Sequence, residues 1–333
     1  MSADARVASA CQQRDARIRA PPSLSGVGRK NTRGKSRLDL ADLRDSHSDV
    51  TKPRRDMPDR LYNMSKKFPQ YADPPIIELV LGVQFDSIPE FTTGHSGWFW
   101  REYLGDAWKV SEGQLVPEQT EVFSGLVPNR MAFQLTQNPA SRLMLENVAG
   151  DRLLQIQHNR FHYNWRKKDV GYPHFEPVFE EFDRYFTAFK KFVGSTGLKA
   201  VVENQWEVCY IDNIPSGELW KQARDFSDVL PGLFPMHTEL DGLLPETSTM
   251  INAYEITPQR GRLHVAANLA FFAGEEKPSL LVNMTARGPI VADSPASLKD
   301  HMDVGHIAVG EAFAGLTSDR AKRFLVFITC INC

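Results

Sequence analysis

Hydrophobic and polar positions alternate first over Ile77, Leu79, Leu81, Val83 and Phe85, just after Pro74-Pro75, which predicts a strand with one buried face. A helical stretch is expected near 92–108, carrying Trp98, Tyr103 and Trp108. Short strands are expected near 120–126 and 130–136. A hairpin then runs from Arg142–Val148 through Ala149-Gly150-Asp151 into one long strand, Leu153–Arg166. Phe175, Val178, Phe179, Phe182, Tyr185, Phe186, Phe189, Phe192 and Val193 recur at steps of three and four. They predict a long amphipathic helix, ended by Gly194 and Gly197. At helical period such an aromatic stripe is expected to be core rather than a ligand groove.

The second part of the chain repeats this order. Val202, Trp206, Val208 and Tyr210 alternate in a strand over Ala200–Ile211. A helix is expected over 216–230 and three strands near 248–257, 262–272 and 278–287. The turn Pro258-Gln259-Arg260-Gly261 joins the first two of these strands. A closing helix over 296–316 is capped by Ser294 or Ser297. The fold class expected is α+β: an internal duplication of a strand–helix–antiparallel strands–helix unit, similar in element order to the TATA-binding-protein-like half-fold. Topology of this kind carries no function with it.

Charge divides the chain. Residues 1–63 hold fourteen basic and eight acidic side chains, a net +6, and no aromatic before Tyr62. The remaining 25 bases face 33 acids, a net −8. The expected organisation is a disordered basic arm or an over-called start over 1–63, with Met64 a natural beginning. A first α+β half over 64–197 follows, then a second over 198–318 and an apolar tail over 319–333. In that tail Phe324–Ile328 reads as an extra edge strand or a gene-end artefact, with the artefact preferred. Gly28, Gly34, Lys35 and Ser36 imitate a phosphate loop, but one residue too many separates the glycines and no strand precedes them. No stretch approaches a membrane span, and four scattered cysteines make no disulfide framework, so a cytoplasmic protein is expected.

The densest polar–aromatic stretch is Gln155 through Lys168, followed by Gly171-Tyr172-Pro173-His174. In a strand, Arg160, His162, Asn164 and Arg166 share one face with His158 and Ile156, while Phe161, Tyr163 and Trp165 share the other. Two guanidiniums with an amide between them suit an anionic group. The expected ligand- or partner-binding residues are therefore Arg160, Asn164, Arg166, Tyr172 and His174. In the competing reading one arginine is a buried partner of Glu78.

Pro74-Pro75-Ile76-Ile77-Glu78, Gln155-Ile156-Gln157 with Arg160-Phe161 and Asn164-Trp165-Arg166, and Tyr172-Pro173 together resemble a sporadically distributed bacterial family of uncharacterised function. His306 followed by Phe313 is similar to its closing helix. The resemblance covers about 70–320 and implies no reaction, substrate or cofactor.

Metal and nucleophile arrangements fail on spacing. His158 and His162 would stand ~13 Å apart on a strand. His301 and His306 diverge around a helix, where His306 is expected buried and bonded to backbone. Cys330-x-x-Cys333 lacks a following helix. No metal, cofactor or catalytic set is expected. The function expected is a binding or scaffolding protein for an unknown protein or a small anionic ligand, using the Arg/Asn/His-rich sheet face and the 160–174 loop. Nucleic acid is disfavoured by the acidic ordered region. The alternative is an enzyme with a cleft between the two halves, where His162, His174 or Glu78 transfers protons.

Overall fold

The computed structural model describes residues 70–71, 74–121, 123, 141–234, 243–256, 259–291, 295–325 and 327–328. The arm over 1–63 and the strand expected near 130–136 lie outside the described residues.

The protein is mixed α+β, built on one open, nine-stranded antiparallel sheet. In chain order the elements are β1 (Ile76–Phe85), α1 (Thr93–Phe99), β2 (Trp108–Gln114), β3 (Ser141–Asn147), β4 (Arg152–Gln157), β5 (Arg160–Arg166) and α2 (Phe175–Ser195). Then follow β6 (Glu203–Pro215), α3 (Phe226–Val229), β7 (Thr249–Ile256), β8 (Gly261–Ala270), β9 (Ser279–Pro289), α4 (Leu298–Leu316) and α5 (Asp319–Phe324). The spatial order is β2-β3-β4-β5-β1-β6-β9-β8-β7. β1 and β6 pair at the centre, and each side then runs outward in reverse chain order.

One face of the sheet is apolar. Leu79, Leu81, Val83 and Phe85 of β1 and Trp206, Val208 and Ile214 of β6 point toward the helices. The stripe on α2 is core, as the sequence predicts. Phe175, Phe182, Phe186, Phe189 and Phe192 are all buried, and Phe161 of β5 sits 5.3 and 5.2 Å from Phe186 and Phe189. Full burial of each ring contributes about 1.5–3 kcal/mol. Ser297 caps α4 by accepting from the Asp300 amide, while Asp300 accepts from the Ser297 amide at 2.7 Å.

Four local expectations need correction. Leu153–Arg166 is a hairpin, not one strand: His158 and Asn159 form the turn between β4 and β5. Ile156 therefore pairs with Phe161 in the core instead of sharing the polar face of Arg160. The segment at 108–114 is an edge strand, hidden in sequence because only Trp108 of its residues is buried. The segment 216–230 is mostly turns ending in a four-residue helix. There Trp220 folds back, donating its indole N–H to Ile214 O, and the Gly217 amide bonds Trp220 O. At the tail, Phe324 ends α5 and Phe327–Ile328 pairs with Gln70–Tyr71 as a separate two-stranded ribbon, so the run Phe324–Ile328 is not one edge strand of the main sheet.

Candidate functional site

The other face of the sheet carries a small apolar cluster, Val80, Cys209, Ile211 and Leu281, beside a network of polar side chains that bind one another. Antiparallel pairing sets Glu78 opposite Arg166, Gly82 opposite His162 and Gln84 opposite Arg160. The Asn164 amide donates to Glu78 Oε1 at 2.6 Å and accepts from Gln155 Nε2 at 2.8 Å. Arg166 lies 3.7 Å from both Glu78 and Glu146. Arg160 donates to Gln84 Oε1 at 2.6 Å and faces Glu207 at 3.8 Å. Burial raises the Glu78 carboxyl, against the opposing pull of Arg166 and Asn164. At Glu207 burial acts the same way, but His162, Arg160 and Arg287 outweigh it and hold the group below its ordinary value. Gly82 makes this arrangement possible: a Cβ there would lie 2.4 Å from His162 Cδ2. A glycine at that position of a central strand is what lets the imidazole lie across it, 3.7 Å from Glu207.

Residues 115–121 leave β2 and strap this face. Gln157 of β4 makes two bonds to the main chain of Val116, at 3.0 and 2.9 Å. Gln84 of β1 accepts from the Gln119 amide, and Gln205 of β6 donates to Gln119 O. The strap ends on Glu121, whose carboxylate meets Arg262 at 2.5 Å, His264 at 2.6 Å and Arg287 at 2.8 Å. Burial would raise this carboxyl, but His264, Arg287 and Arg262 together draw it down to about 2.

The expectation of a solvent-facing fork is thus corrected for three residues. Arg160, Asn164 and Arg166 share a face, as the pleat requires, yet they are buried, and Arg166 takes the Glu78 partnership named as its alternative. Tyr172 and His174 stand apart from them, on the helix side of the sheet. Trp165 is core, 5.4 Å from Tyr172.

Tyr172 and His174 instead line a cavity of about 370 Å³ where α2, α4 and the sheet centre meet. The pleat of β6 builds its floor. Trp206, Val208, Tyr210, Asp212 and Ile214 all face the helices, so an aspartate occupies a core position. Asp212 is 2% exposed and its Oδ2 has no hydrogen-bond partner. Burial alone pushes its titration up to about 8. Beside it, the Tyr210 hydroxyl links the Tyr172 hydroxyl at 3.0 Å to His306 Nδ1 at 2.7 Å. His306 lies flat on Phe175, ring centres 4.3 Å apart, and burial, reinforced by Lys299, brings it down to about 3. Its Nδ1 is thus bonded to a tyrosine hydroxyl, and the ring is half-buried, not fully buried as expected. Tyr210 is pushed well above the ordinary phenol value by burial and by Tyr172. The arrangement offers a largely apolar chamber with a protonated carboxyl, a neutral imidazole and two phenols.

Sequence reasoning missed Asp212 because the alternation was ended at Ile211. One more step along Trp206, Val208 and Tyr210 reaches it.

Among the described residues no group of three or more His, Cys, Asp or Glu could hold a metal ion, and no helix is long and apolar enough to cross a membrane. No family model, curated protein or solved structure matches this chain.

Proposed function

We propose that the protein binds a small, largely apolar molecule in the cavity between α2, α4 and the sheet. One observation carries this reading: Asp212 lines a cavity with room for a ligand, and its buried Oδ2 has no hydrogen-bond partner. An orphan polar group of this kind costs the fold about 1–3 kcal/mol. Apolar walls with a few convergent polar groups are the usual make-up of a small-molecule site.

The finer reading of the fold supports this placement. Outward from β1 and β6 the strand orders correspond, consistent with an internal duplication of a unit similar to the TATA-binding-protein-like half-fold. On that reading the cavity lies where the two long helices of the halves approach each other, the place foreseen for a cleft. Of the residues that carry the resemblance to the sporadically distributed bacterial family, Pro74, Pro75, Ile76, Tyr172, His306 and Phe313 line the cavity, whereas Glu78, Arg160, Asn164 and Arg166 lie on the other face of the sheet.

The enzyme reading has one observation in its favour. A carboxyl titrating at about 8 can give and take a proton near neutrality. The described lining includes no serine, threonine or cysteine to act as nucleophile, so binding leads. Ligand-observed NMR with phenethyl alcohol tests the site. Binding to the wild type and its loss in Ile307→Trp, which fills the cavity from the half-buried rim of α4, is the expected result. Equal binding to both proteins refutes it.

A further inference from the structure

We infer that the cavity is built for an organic ammonium: a primary amine on a small apolar or aromatic body, with its N–H donated to the Asp212 carboxylate. This deepens the binding reading above and rests on it. Three observations converge. The carboxyl lines the cavity, is 2% exposed, and has an oxygen that receives no donor from the protein. Among the described residues no cation stands against it, since burial alone accounts for its displaced titration. The lysine of the lining, Lys299, is turned elsewhere: its ammonium lies 2.5 Å from Asp303 and over the rings of Phe175 and Phe179. Finally, Tyr172 and Tyr210 stand close enough to interact electrostatically with Asp212, and π faces attract ammonium groups when both are desolvated.

The charges around Asp212 favour the same sign of ligand. Its own strand contributes Tyr210. The turn into α2 contributes Tyr172, His174 and Glu176, and α4 contributes Lys299, Asp303 and His306. His306 is neutral, Lys299 and Asp303 offset each other, and Glu176 is exposed to solvent. Ionised Asp212 is therefore the buried charge left without a counter-ion, and a cation entering the cavity supplies one.

The proton balance follows. The free amine in water already carries its proton. The empty cavity holds Asp212 as the neutral acid below about pH 8. As the ammonium enters, the carboxyl ionises and its proton goes to solvent. No bond to carbon changes.

Isothermal titration of the full-length protein with phenethylamine and with phenethyl alcohol, each in two buffers of different ionisation enthalpy, reads this directly. At about pH 8 the amine is expected to bind about tenfold tighter than the alcohol, because a charge-assisted bond replaces a neutral one, and the comparison that tests the inference is made at that pH. The amine should release about one proton per molecule bound below pH 8, and its affinity should fall about tenfold per pH unit on further acidification. Asp212→Asn should erase both the preference and the proton release, so that amine and alcohol bind the variant alike. An amine no tighter than the alcohol, or a preference that survives in Asp212→Asn, overturns the ammonium inference and leaves the cavity reading standing. If neither compound binds the wild type, both fall.

Discussion

Asp212→Asn keeps the shape of the side chain and removes its ionisation, so it isolates the cost of keeping this carboxyl in the core. In the folded protein the group titrates at about 8, against 3.8 for an ordinary aspartate. Between those values the folded state holds a proton that the unfolded chain has lost. Wild-type stability therefore falls as pH rises through this window, by ~1.4 kcal/mol per pH unit from this group. The direction is opposite to that of the depressed carboxylates Glu121 and Glu207, whose contribution is present at neutral pH and lost on acidification. Their contribution, and that of the neutral imidazoles His162 and His306, is common to both proteins and cancels in the difference. Asparagine should thus gain on the wild type by about 4 kcal/mol between about pH 4 and pH 7, and level off above about pH 8. Urea unfolding followed by circular dichroism, at unit pH steps on both proteins, measures it. A difference in unfolding free energy that stays flat with pH would sink the reasoning, because it would mean that Asp212 is ionised and partnered throughout.

Gly82→Ala should destabilise the fold by ~1–3 kcal/mol, since the new methyl meets the His162 ring; thermal melts should show much of the loss recovered in Gly82→Ala with His162→Ala. Arg160→Ala should cost about 3 kcal/mol in denaturant unfolding, because it leaves Glu207 and Gln84 without a principal partner in a buried network; a melting temperature equal to wild type would restore the solvent-facing reading of this arginine.

What the sequence revealed divides by range. The stripe on α2 and the alternation in β1 and β6 are local signals, and each survives because one face of each element is core. The turn at His158-Asn159 is invisible to the same reasoning. No glycine or proline marks it, and apolar and polar residues continue on both sides. The face shared by Arg160, Asn164 and Arg166 was legible from the pleat. That they are buried was not, because the strap over this face and the carboxylates they meet come from distant parts of the chain. Tyr172 and His174 belong to a cavity completed by Asp212 and by His306, a hundred residues and more downstream. No spacing rule links such positions.

The strap also bears on how the chain is made. Residues 116–121 leave the ribosome long before β8 and β9, which carry Arg262, His264 and Arg287. Until those strands arrive, Glu121 has no cationic clasp from them and β6, though paired with β1, lacks its β9 neighbour, leaving an open strand edge of the kind that recruits other chains. A nascent chain stalled before residue 261 should therefore need a chaperone over that edge, and the strap's last anchor would close only on a sheet whose far strands are already in place.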